Sequence, residues 1–99
     1  MKKILVMLTK TSHGNQENQD RLNRCQAGDV VIFAQDAVFS FSVSGTPIDQ
    51  LIKEKLAEGV RIFASANDCL ARGMTPPEGI KQVDYSEQVD LITECELTF

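Results

Sequence analysis

The segment Asn67–Gly73, NDCLARG, places the thiol of Cys69 three residues ahead of the guanidinium of Arg72. At that spacing the two side chains share one side of a helix. A cation beside a cysteine favours the thiolate, which is the nucleophile of sulfur chemistry, and a helix start adds amide dipoles of the same sign. Two neighbours oppose activation. Counted from a cap at Ser65, Cys69 is at the fourth helical position, where the dipole has faded. Asp68, adjacent, disfavours a second negative charge. No histidine is near in sequence to take the proton, so the simpler reading is a buried cysteine acting as a small apolar residue. Cys25 is the second candidate thiol.

Ser65 is better placed, directly at a strand–helix junction. Without a histidine partner it reads as a helix cap rather than a nucleophile. His13, the one histidine, lies in a polar loop beside Gly14, and the three cysteines (Cys25, Cys69, Cys95) are dispersed with no C-x-x-C. No paired ligand spacing exists, so neither a metal nor another cofactor is expected. Asp36 follows an apolar run and reads as a helix cap or a partner contact, the cap being favoured. After the first apolar run the chain reads TKTSHGN, with a single glycine. That is no phosphate-cradling loop. A receiver-type phosphorylation site would need acids where Thr9 and Ser65 stand.

The whole chain is 99 residues, enough for one domain over residues 1–99 with a modest core, 42% hydrophobic and 24% charged. A net charge of −4 argues against direct nucleic-acid binding. An odd number of cysteines and an N-terminal apolar run too short for a secretion signal imply reduced thiols and a cytoplasmic protein. No stretch approaches a membrane span.

The elements that must position these residues alternate. Lys3–Leu8 and Asp29–Ala34 are continuous apolar runs typical of strands covered on both faces. A mostly solvated helix is expected between them, from Asn15 to Gln26. Thr46, Pro47 and Asp49 form a helix start, Ile48, Leu51, Ile52 and Leu56 recur at helical spacing, and Gly59 is the stop. Val60–Ala64 is a third strand, Ala66–Arg72 a two-turn helix capped by Ser65 and stopped by Gly73, and Ile80–Val83 a fourth strand. Asp84 and Glu87 have capping-box spacing ahead of a helix carrying Val89, Ile92 and Cys95, and ELTF ends the chain as a short fifth strand or docked tail. Between Asp36 and Ser44, apolar residues alternate as in a strand, yet no turn separates this stretch from the preceding one. Phe39 and Phe41 there read as core. The pattern implies βαβ units: a three-layer α/β/α fold with a mainly parallel sheet of four to five strands. Sites in such sheets lie beyond the carboxyl ends of the strands, here Thr9 to Ser12, Gln35 and Asp36, Ser65 to Cys69 and Asp84 to Ser86.

These residues resemble the TusB/DsrH family of the DsrE/DsrF/DsrH sulfur-relay superfamily. Asp68, Ala71, Arg72 and Gly73 match its D-x-x-A-R-G segment. Val83, Asp84, Tyr85, Val89, Leu91 and Thr93 match most of its V-D-Y-x-x-F-V-x-L-T pattern, with Gln88 in place of phenylalanine and Ile92 standing before Thr93. LTKT around Lys10 resembles its N-K-S turn. AGDVVIFAQDAVFSF is similar to its G-D-x-L-L-L-x-Q-D-G-V-Y-A-A segment, with Ala37 for glycine. The resemblance implies a DsrEFH-like open parallel sheet and makes Asp36–Phe41 helical, against the local alternation. It also implies assembly with DsrE-like and DsrF-like (TusD/TusC-like) subunits or as a homo-oligomer. Such complexes pass persulfide sulfur towards tRNA wobble 2-thiouridine or through dissimilatory sulfur metabolism.

In the DsrE/TusD-like carriers of that superfamily the persulfide cysteine stands seven residues before the arginine of the R-G pair, which here is Ser65. Some DsrH proteins carry a cysteine in the first helix, where this chain has Arg21. The expectation is therefore a non-catalytic subunit of a persulfide-transfer complex. The alternatives are a carrier acting through Cys69 or Cys25, and a homo-oligomeric module holding a small ligand at the strand ends.

Overall fold

The computed structural model describes residues 3–10, 16–42 and 45–99. Five strands, β1 (Ile4–Leu8), β2 (Val30–Phe33), β3 (Arg61–Ser65), β4 (Lys81–Val83) and β5 (Leu97–Thr98), form one sheet in the order β4-β3-β2-β1-β5. Every pairing is parallel. β2 is buried at all four positions because β1 and β3 flank it in the plane and side chains cover it above and below.

The helices are α1 (Gln16–Asn23), α2 (Pro47–Glu58), α3 (Ala66–Arg72) and α4 (Tyr85–Glu94), with a 3-10 helix over Gln35–Phe41. Their ends are chemically specified. The Thr46 side chain accepts a hydrogen bond from Asp49 N, and Gly59 ends α2 in the left-handed region at φ 97°. Asp84 and Glu87 form a complete capping box at the start of α4. Ser65 occupies the N-cap position of α3, but its side chain makes no capping hydrogen bond.

Strand order and crossover handedness together decide which face each helix covers. The chain steps from β1 through β2 and β3 to β4 in one direction, then returns past β1 to β5. Right-handed crossovers put helices of one stepping direction on one face and the return helix on the other. The first face accordingly carries α1, α2, α3 and the 3-10 helix, and its core cluster runs from Leu22 and Ile52 through Val31, Phe33 and Ile62 to Cys69. The second face carries α4, over Leu5, Val30, Ile32, Ala34 and Cys95.

Several residues settle differently from the local pattern. Gln35–Phe41 is helical, as the family resemblance implies and the alternation does not. Phe41 is half-buried against Phe33, with ring centroids 5.1 Å apart, whereas Phe39 is 38% exposed and outside the core. On α4, Val89 and Ile92 are exposed, while Leu91 packs against the second cluster and Cys95 is buried beyond the helix end. The inward face of α4 is one residue out of step with the three-residue spacing of its apolar residues. α1 stops at Asn23, before the expected Gln26, and Asn15 lies outside the described residues.

Candidate functional site

Neighbouring strands β3 and β4 send their helices to opposite faces, α3 to the first and α4 to the second. Such a divergence opens a crevice at the carboxyl ends of the strands. A cleft of about 330 Å³ lies there. Met7 and Thr9 enter it from the end of β1, Ala34 and Gln35 from the end of β2, Ser65, Asn67 and Asp68 from the β3–α3 junction, and Tyr85 and Gln88 from α4. Ser65 is 4% exposed at its base and Tyr85 is 73% exposed at its mouth.

One wall is strained. Gln35 has φ 50°, the only positive φ outside glycine among the described residues. A side chain in that region costs on the order of 1 kcal/mol or more and is kept where surrounding contacts impose it. Those contacts include an ion-pair bridge across the rim. Arg72 Nε donates to Asp36 Oδ1 at 3.1 Å and Arg72 Nη1 to Asp68 Oδ1 at 3.2 Å, tying the 3-10 helix to α3. Asp36 is therefore a bridge member and not a cap, and the N-cap of the 3-10 helix is Ala34. On the α4 side, Gln88 Nε2 donates to Val83 O at 3.3 Å. Behind β1, the buried Asn18 donates to Lys10 O at 2.7 Å and holds the chain where it leaves the strand.

The thiols lie elsewhere. Cys69 is 1% exposed and belongs to the core of the first face. Burial pushes its thiol up, and the Asp68 carboxylate adds to the rise. The nearby guanidinium does not counter this, because Arg72 is turned towards two carboxylates. Cys25 is 2% exposed, its Sγ donates to Arg21 O, and burial followed by the Asp29 carboxylate pushes it up to about 11. Cys95 is raised by burial and then by Glu94. None of the three lines the cleft. The arrangement can bind and orient a group from outside, with the hydroxyl of Ser65, the amides of Asn67, Gln35 and Gln88 and the carboxylate of Asp68 as polar contacts. It offers no thiol of its own.

Of the residues expected from sequence, Ser65, Asp68 and Tyr85 line the cleft, and Asp36 and Arg72 brace it. Asp84 caps α4, and Gly73 ends α3 at φ 65°. Lys10 is exposed after β1, while Thr11, Ser12 and His13 lie outside the described residues. No group of three or more histidine, cysteine, aspartate or glutamate residues is arranged to hold a metal among the described residues.

A family model described as DsrH like protein matches residues 11–97. The chain belongs to the DsrH-like family. Membership places it, in general terms, among sulfur-relay subunits. The solved crystal structure of the ychN protein from E. coli has the same fold, with a TM-score of 0.82 over 100% of this chain and 98% of that one, at 16% identity. No curated protein matches the sequence. In this DsrH-like chain no described helix is long and apolar enough to cross a membrane.

Sequence reasoning placed Thr9, Gln35 and Asn67 in the strand-end stretches but missed Met7 and the left-handed turn at Gln35. Glutamine carries no preference for positive φ, so no local signal announced that turn. Gln88 did carry a signal. It is the departure from the family's phenylalanine, and it puts an amide into the cleft wall.

Proposed function

We propose that this DsrH-like chain is a non-catalytic subunit of a persulfide-transfer complex, working beside DsrE-like and DsrF-like subunits or a second copy of itself. The complex would serve tRNA wobble 2-thiouridine synthesis or dissimilatory sulfur metabolism. In a persulfide relay the outer sulfur moves when an acceptor thiolate attacks it and the donor cysteine leaves as a thiolate. The observation that carries the reading is the cleft at the β3–β4 divergence, which presents Ser65 and no cysteine among its lining residues. A hydroxyl cannot hold sulfane sulfur. It can hydrogen-bond a persulfide presented by a neighbour.

The test is intact-mass measurement after incubation with a cysteine desulfurase and free cysteine, for the chain alone and after co-expression with its cell's DsrE-like and DsrF-like proteins. The chain alone should keep its mass, and it should co-purify with those partners. Gain of one sulfur atom by the isolated chain, lost in Cys69→Ser or Cys25→Ser, would make it a carrier and end this reading. Failure to co-purify would remove the heteromeric form. Ser65→Cys should create a thiol in the cleft that takes up sulfur.

A further inference from the structure

The hydroxyl at the base of the β3–β4 cleft is left without a partner. Ser65 is 4% exposed, yet its side chain makes no hydrogen bond among the described residues, not even to the helix whose N-cap it occupies. Among those residues, no side-chain oxygen or nitrogen that is sealed from solvent lacks a hydrogen bond. The Ser65 hydroxyl therefore opens into the cleft it lines. A buried polar group kept in this way costs free energy until something bonds it. The walls repeat the pattern. The Gln35 and Asn67 side chains make no hydrogen bond among the described residues, and Gln88 uses only its Nε2, in the bond to Val83 O. Gln35 is also the residue held at φ 50°. Tyr85, the only tyrosine of the chain, puts aromatic surface at the mouth, 73% exposed.

The charges narrow the ligand. Among the described residues no lysine, arginine or histidine lines the cleft, and its one charged wall residue is Asp68. An anion finds no counter-charge there. A cation gains little, because Asp68 is already paired with Arg72. What remains is an uncharged ligand that both donates and accepts. A primary amide carries a donor and an acceptor side by side, and so does the edge of a heterocyclic base. Stacking on an aromatic ring is the other half of base recognition. A cleft of about 330 Å³ is at the small end for a ligand site and suits one base or nucleoside. We propose that this cleft binds an uncharged nucleobase or nucleoside, with the Ser65 hydroxyl and the amides of Gln35, Asn67 and Gln88 on its polar edge and Tyr85 against its ring. The net charge of −4 disfavours a stretch of nucleic acid as the source.

Binding itself does not depend on the sulfur-relay role. Only its consequence rests on that reading: a base seated over Ser65 keeps a neighbour's persulfide out of the cleft. The test is an NMR titration of the isolated chain, with no sulfur donor present, by adenosine, cytidine, guanosine and uridine in turn, and by ribose and the nucleoside 5′-monophosphates. The sulfur-loading measurement uses none of these ligands, so the two tests fail separately. At least one nucleoside should saturate the chain with a Kd below about 1 mM. It should shift the Tyr85 ring signals and the side-chain amide signals of Gln35, Asn67 and Gln88. Its monophosphate should bind about threefold weaker or worse at low salt, and ribose should not bind. Ser65→Ala should weaken the nucleoside by about fivefold. Tyr85→Ala, at an exposed position, should weaken it by about tenfold. Leu70→Ala, exposed and outside the cleft, should change nothing. Asp68→Asn should narrow the gap between nucleoside and monophosphate. No binding by any of the four nucleosides, binding of ribose as tight as theirs, equal or tighter binding of the monophosphate, or shifts confined to another surface would overturn the inference.

Discussion

Among the described residues, three helices and a 3-10 turn on one face of the sheet bury fifteen residues in a single cluster; on the other, one helix shares a cluster of five with the strands beneath it. The strands are the same, and their side chains alternate between the two faces as any strand's must. The difference comes from the direction in which the chain walks across the sheet. Stability is concentrated on the face built by three forward crossovers. The face built by the single return crossover keeps apolar surface in reserve, and the cleft opens where the two sets of helices part.

The largest test of this contrast is truncation on the closed face. Phe33 is fully buried there, and Phe33→Ala should lower unfolding free energy by about 3–5 kcal/mol in urea titrations. Leu91→Ala, on the half-covered face, should lower it by clearly less, and equal losses would erase the distinction. Next is the pH response of the closed face. The folded Cys25 thiol is raised to about 11 from its ordinary value of 9.0. The folded state therefore keeps a proton that the unfolded chain loses, and this contribution is whole below pH 9.0 and lost as pH rises through about 11. Between those values stability should fall by on the order of 2 kcal/mol more in the parent chain than in Cys25→Ala. Matching slopes would mean the thiol is not held in the core.

Smaller effects sharpen the open face. Asp84→Ala removes the reciprocal capping box of α4 and should cost about 1 kcal/mol. Hydrogen exchange should quicken first in α4, with α2 unchanged. Arg72→Gln breaks the bridge to Asp36 and Asp68, which is partly exposed, and should cost less than about 1 kcal/mol overall. Its visible consequence should be faster amide exchange at Gln35 and along the 3-10 helix, where the left-handed turn loses its brace.

Most of the elements could be read from the sequence because their causes are local. Thr46, Pro47 and Gly59 bracket α2, and Asp84 with Glu87 starts α4, through bonds spanning three residues. The segment Gln35–Phe41 defeated its own alternation: a strand would have needed a turn that the sequence lacks, and its apolar residues pack against Phe33 and α3 instead. α4 was recognised as a helix but its inward face was misjudged, since which stripe meets the sheet depends on the angle at which the helix crosses it.

Of the candidate site, Ser65, Asp68 and Tyr85 were visible as strand-end residues. Cys69 drew attention through Arg72, but the guanidinium has two carboxylates and the thiol is in the core. Met7 and Gln88 could not be joined to them in advance, because one lies within β1 and the other within α4, far apart in the chain. The sequence by itself determined the alternation of strands and helices, the helix caps and the family pattern, since each rests on contacts between near neighbours in the chain. The tertiary structure alone decided the strand order, the unequal cover of the two faces, the strained turn and the gathering of the cleft. Those depend on long-range parallel pairing and on crossover handedness, which no local stretch of residues encodes.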